Sequence, residues 1–156
     1  MNKVAVFLSS YNGEKYILQL LKSLENQTYK NFDLIVRDDG SNDQTVNIVL
    51  EFKRTAKINV IILESNGGHK IPELSLSSSF FKLTNYANKD LAYKYFMFCD
   101  QDDIWHNNKI QRMVEAILLE EAKSPTEAIL VHSDLTLIDP KGKFIHHSFW
   151  DWQKIN

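Results

Sequence analysis

Three carboxylates crowd into four residues at Asp100, Asp102 and Asp103, directly behind the apolar run Tyr95-Phe96-Met97-Phe98-Cys99. Like charges so close resist ionisation unless a cation or hydrogen-bond donors compensate. Oxygen-only ligands suit Mg2+ or Mn2+, and Mg2+ commonly takes one or two carboxylates plus the phosphate oxygens of a substrate. The pattern points either to metal-assisted chemistry on a phosphate or to an acidic turn that caps the helix behind it, since Asp is common at both kinds of position. A second carboxylate pair, Asp38-Asp39, leads into Gly40-Ser41 behind the strand expected over Asn31 to Val36, and the turn formers Ser9-Ser10-Tyr11-Asn12-Gly13 follow Val4-Ala5-Val6-Phe7-Leu8.

The elements that must carry these loops are readable from periodicity. The run Tyr95 to Cys99 reads as a strand buried on both faces, and such strands in parallel sheets present ligand sites at their carboxyl edge. Ile17, Leu20, Leu21 and Leu24 predict an amphipathic helix, with Asn12 as a candidate cap. Ser41-Asn42-Asp43-Gln44 fits a capping box ahead of a helix through Val46, Val49 and Leu50. A third strand is expected over Ile58 to Leu63, followed by Asn66-Gly67-Gly68, where glycine permits positive φ or a close approach to a ligand. A helix from Ser75 to Asn88 follows. Ile110, Met113, Val114, Ile117 and Leu118 predict another helix, bounded by Asn107 and Ser124-Pro125. Ala128 to His132 reads as a strand, and Asp139-Pro140-Lys141-Gly142 as a hairpin turn. Strands alternating with helices predict an α/β fold with an open, mostly parallel sheet and helices on both faces. The loops Ser9 to Gly13, Asp38 to Ser41 and Asp100 to Asp103 then converge at one edge. The first loop lacks G-x-G-x-x-G, which disfavours a dinucleotide-binding Rossmann domain.

With 156 residues and 44% hydrophobic side chains the chain suits one domain, residues 1–156. Its 18 basic and 20 acidic residues give a net charge of −2 and no case for a nucleic-acid partner. The lone Cys99 excludes an internal disulfide, and no secretory h-region or bilayer-length apolar run is present, so a cytoplasmic setting is expected. His132, His146 and His147 lack zinc-ligand spacing. Phe149-Trp150-Asp151-Trp152 suggests an aromatic patch that drives self-association into a homo-oligomer.

Together the loops resemble those of the family 2 glycosyltransferases with the GT-A, Rossmann-like fold. Ser10-Tyr11-Asn12-Gly13 resembles the family's first loop, Asp38-Asp39-Gly40-Ser41-Asn42-Asp43-Gln44-Thr45 its D-D-G-S-x-D-x-T segment, and Asp100-Gln101-Asp102-Asp103 its D-x-D-D motif. Cys99 to Trp105 is especially similar to rhamnosyltransferase-like members. The resemblance implies a metal-dependent inverting transfer from a UDP- or dTDP-sugar to a glycan, lipid-linked or protein-linked acceptor. It further implies that Asp38 meets the N3 position of uracil or thymine, with Asp39 beside it and the backbone near Ser9 and Tyr11 helping. By the same resemblance Asp100 reaches the ribose and Asp102 ligates Mn2+ or Mg2+ at the diphosphate. Asp103 either orients the metal shell or caps the next helix, and Trp105 either lines the sugar site or packs internally.

The likeness has gaps. Gly67 to Pro72, leading into Leu76-Ser77-Ser78-Ser79, replaces the family's usual donor-contacting stretch with extra residues. His106-Asn107 stands where a proline is common. The family's general base lies well downstream of D-x-D-D, so the resemblance places it beyond Asn156 and makes this chain a donor-binding portion truncated at its C-terminal side, the full protein working at the inner face of a membrane. Asp134 and Asp139 are substitute bases or ordinary cap and turn residues. Two further readings stand beside this one: a haloacid-dehalogenase-like phosphatase with Asp100 as nucleophile and Asp102 as its acid partner, disfavoured because that motif belongs on a first strand, and a non-catalytic nucleotide-sugar-binding or assembly module.

Overall fold

Strand β1 (Val4–Ser10) is buried along its whole length, with Val4 to Leu8 wholly excluded from solvent. It can be so apolar because it has neighbours on both sides and packing on both faces. In the computed structural model, which describes residues 3–63, 80, 82–86 and 93–154, β1 pairs in parallel with β2 (Phe32–Asp38) and with β4 (Tyr95–Cys99). Strand β3 (Asn59–Leu63) adds to the far side of β2, giving the order β3-β2-β1-β4 with every pair parallel. The chain divides into two compact units, Met1–Arg112 and Met113–Asn156.

In the first unit, α1 (Ile17–Glu25) buries Ile17, Leu20, Leu21 and Leu24, as its spacing predicts. Its cap is not Asn12: the residue before the helix is Tyr16, while Asn12 takes φ +48° and its side chain serves the neighbouring loop. Helix α2 (Thr45–Thr55) starts after Gln44, and no capping box forms, because Ser41 is engaged by Asp38. It buries Val49 and Phe52, while Val46 and Leu50 remain about 40% exposed. Strand β4 departs from its expected double burial. Tyr95 and Cys99 are buried, but Phe96 and Phe98 are 40% and 51% exposed and lie against the Phe7 ring, as befits an edge strand of the described sheet. Residues 80 and 82–86 are helical, within the span expected for a helix from Ser75 to Asn88. Leu83 joins Ala5, Phe7, Ile35 and Tyr93 in one core cluster. The expectations for Asn66 to Pro72, Leu76 to Ser79 and Ala87 fall outside the described residues.

At the amino edge of this sheet Lys3 Nζ lies 2.7 Å from the buried Asp33 carboxylate, which also accepts from Tyr93 Oη at 2.5 Å. Burial works to raise the Asp33 pKa, but hydrogen bonds from Lys3, Tyr93 and Asn59 and the Lys3 charge outweigh it and bring it below its ordinary value.

Helix α3 (Lys109–Lys123) stops ahead of Ser124-Pro125 and contains the boundary between the units. In the second unit the strand expected at Ala128 to His132 is absent. The segment pairs with no strand among the described residues, and Leu130 is 85% exposed. The hairpin is present: β5 (Leu137–Ile138) and β6 (Phe144–His146) are antiparallel, and Asp139 Oδ1 accepts from the N–H groups of Lys141 and Lys143 across a turn in which Gly142 takes φ +78°. A short helix α4 (Phe149–Gln153) follows. No helix among the described residues is long and apolar enough to cross a membrane.

Candidate donor-binding site at the sheet's carboxyl edge

The strand order changes direction between β1 and β4, and in open α/β sheets the crevice outside such a switch point is where ligands bind. Register brings the three predicted loops to this edge: Ser10 pairs with Asp38, and Leu8 with Cys99.

Asp38 organises the second loop. Its Oδ1 accepts from the hydroxyls of Ser10 and Ser41 at 3.0 and 2.6 Å, and its Oδ2 from the N–H groups of Gly40 and Ser41 at 2.9 and 2.8 Å. The turn needs Gly40, whose φ of +93° would strain any side chain. These four bonds use the acceptor capacity of both oxygens. Asp39 is held differently: its N–H donates to Ser10 O, its carboxylate accepts from the Ser9 hydroxyl at 3.0 Å and pairs with Arg37. One further acceptor site remains on each of its oxygens within these contacts.

The first and second loops are stitched together. The N–H groups of Asn12, Gly13 and Glu14 donate to Ser41 Oγ, Thr45 Oγ1 and Asp43 Oδ2, while Asn12 Oδ1 and Glu14 Oε2 accept from the N–H groups of Asn42 and Gln44. Ser9 is buried and Tyr11 is 55% exposed, so the loop offers backbone and an aromatic ring to solvent.

The acidic loop is anchored from below by residues that motif reasoning passed over. Gln27, fully buried, donates to the carbonyls of Ser23 and His106 and accepts from Ile110 N–H, while Ser23 Oγ accepts from Trp105 N–H. Trp105 is 3% exposed, so it packs internally. Above this anchor Asp100 and Asp102 are exposed and Asp103 is half-buried. Burial, then the negative charges of Asp100 and Asp102, raise the Asp103 pKa against the pull of Lys109. Burial, with Asp103 and Asp100 adding to it, likewise pushes the Cys99 thiol well up and keeps it protonated.

Excess negative charge on oxygen-only ligands fits a hard divalent cation. Among the described residues no cluster of three or more His, Cys, Asp or Glu side chains is placed to cage one. The donor set therefore suits an ion held by one or two carboxylates and completed by phosphate oxygens.

Gln101 joins the acidic loop to the first loop. Its Oε1 accepts from Tyr11 N–H at 2.9 Å and its Nε2 donates to Tyr11 O at 3.0 Å. In the second unit Asp134 is a structural cap: its Oδ1 accepts from the N–H groups of Leu135, Phe149 and Trp150, and a hydrogen bond from the Ser148 side chain, followed by these backbone bonds, depresses its pKa.

Comparison with known proteins bears on what this edge binds. TarS of Staphylococcus aureus (strain Mu50 / ATCC 700699), a poly(ribitol-phosphate) β-N-acetylglucosaminyltransferase, is 33% identical over 144 residues, which are 91% of this chain and 22% of TarS. The structure of S. aureus TarS residues 1–349 in complex with UDP superposes with a TM-score of 0.54 at 32% identity, over 77% of this chain and 33% of that one. The dTDP-rhamnosyl transferase RfbG of Shigella flexneri is 29% identical over 128 residues, 80% of this chain and 42% of RfbG. The mannosyltransferase PcManGT of Pyrobaculum calidifontis, solved with GDP-Man and Mn2+, shares the fold with a TM-score of 0.59 at 19% identity, over 72% of this chain and 31% of its own. This chain thus spans between about a fifth and about two fifths of the length of these relatives. The profile described as Glycosyl transferase family 2 matches residues 5–154, almost the whole chain, and the protein belongs to that family.

Proposed function

We propose that residues 1–156 are the donor-binding part of a metal-dependent, inverting glycosyltransferase that uses a UDP- or dTDP-sugar. The observation that carries this reading is the convergence of three interlocked loops at the switch point of a parallel sheet, one of them rich in carboxylates. Base recognition falls to the Asp38-Asp39 pair with a division of labour: Asp38, fully occupied, shapes the loop, and Asp39 keeps the acceptor capacity that an imide N3–H of uracil or thymine requires. Ser9 fixes the Asp39 carboxylate, and the Tyr11 ring borders the base. Asp100 takes the ribose hydroxyls, and Asp102 holds Mn2+ or Mg2+ at the diphosphate. When bound, that ion neutralises charge developing on the departing nucleoside diphosphate. Inversion follows from one displacement, in which an acceptor hydroxyl attacks the anomeric carbon from the side opposite the diphosphate.

The general base and acceptor site are assigned to parts of the protein outside these residues, because Asp134 and Asp139 spend their carboxylates on a helix start and a hairpin turn. The acceptor is a glycan, lipid-linked or protein-linked hydroxyl, reached from the cytoplasmic side with peripheral attachment to the membrane. Exposed Trp150 and Trp152 favour a homo-oligomer.

Calorimetry with UDP, dTDP, ADP and GDP in the presence of Mn2+ tests the donor assignment, with the pyrimidine nucleotides expected to bind more tightly. Equal affinities, or a purine preference, would overturn it. The structural roles of Asp134 and Asp139 also favour a second reading, a nucleotide-sugar-binding module without transfer. Donor binding by the full-length protein with neither sugar transfer nor nucleotide release would select that one.

A further inference from the structure

On the donor-binding reading the switch point brings together two loops that act on different parts of one donor, and the Gln101 side chain connects them. Gln101 stands between Asp100 and Asp102, yet its carboxamide is turned to the opposite strand end, where it closes a two-point ring with the N–H and C=O of Tyr11. Gly13 makes room for it: a Cβ there would lie 2.3 Å from Gln101 Oε1 and 2.7 Å from Cδ. The crowded atom is the end of a flexible side chain, but moving it aside breaks both bonds to Tyr11. Two hydrogen bonds with matched donor and acceptor set both the distance and the tilt between the loops, which one bond would not.

We propose that Gln101 is a positioning residue that locks the first loop to the acidic loop, so that the nucleoside contacts and the metal-diphosphate contacts are made in fixed register. This rests on the donor-binding reading above. Gln101 itself touches backbone, and its effect on a ligand is carried by Tyr11 on one side and by Asp100 and Asp102 on the other. Because Oε1 receives and Nε2 gives, the tie requires a neutral amide. A carboxylate in its place keeps the acceptor for Tyr11 N–H but faces Tyr11 O with a second acceptor.

The test measures UDP affinity by calorimetry with Mn2+ for the wild-type chain and for Gln101→Ala, Gln101→Glu and Gly13→Ala, with thermal melts as a check on folding. Loss of two backbone hydrogen bonds predicts roughly tenfold weaker binding in Gln101→Ala. Gly13→Ala should weaken binding similarly, and the double variant should be no weaker than either single one, since both act through the same tie. Gln101→Glu fills the same space but cannot donate to Tyr11 O, so its binding should weaken about as much as that of Gln101→Ala. A residue that merely filled space would leave Gln101→Glu at wild-type affinity. Wild-type affinity in folded Gln101→Ala, or additive effects of the two alanine substitutions, would overturn the proposal. Amide hydrogen exchange at Tyr11 separates the two levels. If wild type binds no UDP while Gln101→Ala still speeds that exchange, the tie exists and the donor reading, with the positioning role, is wrong.

Discussion

Asp38 and Asp39 are neighbours with the same side chain, and the loop uses them for different ends. Asp38→Asn keeps one acceptor oxygen but sets an NH2 group against donors, so it should lower stability by about 1 to 2 kcal/mol, readable in urea unfolding. Asp39→Asn should also lower stability, because it removes the carboxylate paired with the largely buried Arg37, and in the folded variant it should lose the preference for UDP over GDP, because an amide turned by Arg37 and Ser9 offers a poorer acceptor to an imide N–H. Asp102→Asn should reduce the gain in UDP affinity that Mn2+ brings, while Asp134→Asn leaves that gain intact and lowers the melting temperature by unseating helix α4. These contrasts mark how far the sequence is legible at this scale. Carboxylates behind apolar strands announce a charged edge, but which of two adjacent carboxylates is saturated depends on where Ser10, Gly40 and Ser41 point. Gln101 was invisible for the same reason: an uncharged side chain between acids carries no motif signal, and its partner is 90 residues away.

Among the elements, the acidic loop depends on Gln27. Its removal in Gln27→Ala leaves the Ile110 N–H without its buried partner, at about 1 to 3 kcal/mol for the unsatisfied group, and takes one of two donors from His106 O, which keeps Lys109 N–H. The melting temperature should fall, and the Mn2+-dependent part of UDP binding should weaken even though no acidic residue is touched. If metal-dependent binding survives unchanged in a folded variant, the loop is held by its own turn and not by this anchor. The apolar stretches that became β1, β2 and α1 were plain in the sequence because burial imposes a period. Starts of helices were not. Asn12 and Ser41 both have side chains that cap well, but Asn12 instead takes the cross-loop N–H of Asn42, and Ser41 the nearby Asp38 carboxylate and the cross-loop N–H of Asn12; the cross-loop partners are set by tertiary approach. Ala128 to His132 shows the converse, an apolar run with no strand to pair with among the described residues.

For the first unit as a whole, the edge of the sheet opposite the site carries an acid-sensitive contact. The Asp33 carboxyl has a folded pKa below its unfolded value of about 3.9. Its contribution is therefore fully present above that value and is lost as pH falls through the lower folded pKa. Asp33→Asn should be less stable than wild type by about 2 kcal/mol at pH 7, and the difference should shrink in unfolding curves taken below pH 4. A constant difference down to pH 2 would show that Lys3 and Tyr93 do not hold the ionised form.

The position of β1 between its two partners has a kinetic consequence. Val4 pairs with Phe32, 28 positions along the chain, and with Tyr95, 91 positions along. Closing the longer loop costs about 1 kcal/mol more in chain entropy, and non-local parallel pairing is slow to begin with. The β1-α1-β2 segment should then form in the folding transition state, with β4 docking afterwards. Truncating Leu34 should slow refolding, giving a high φ-value, whereas truncating Met97 should chiefly speed unfolding. If so, the part of the cleft that carries Asp38 and Asp39 is assembled first, and the acidic loop closes on it afterwards.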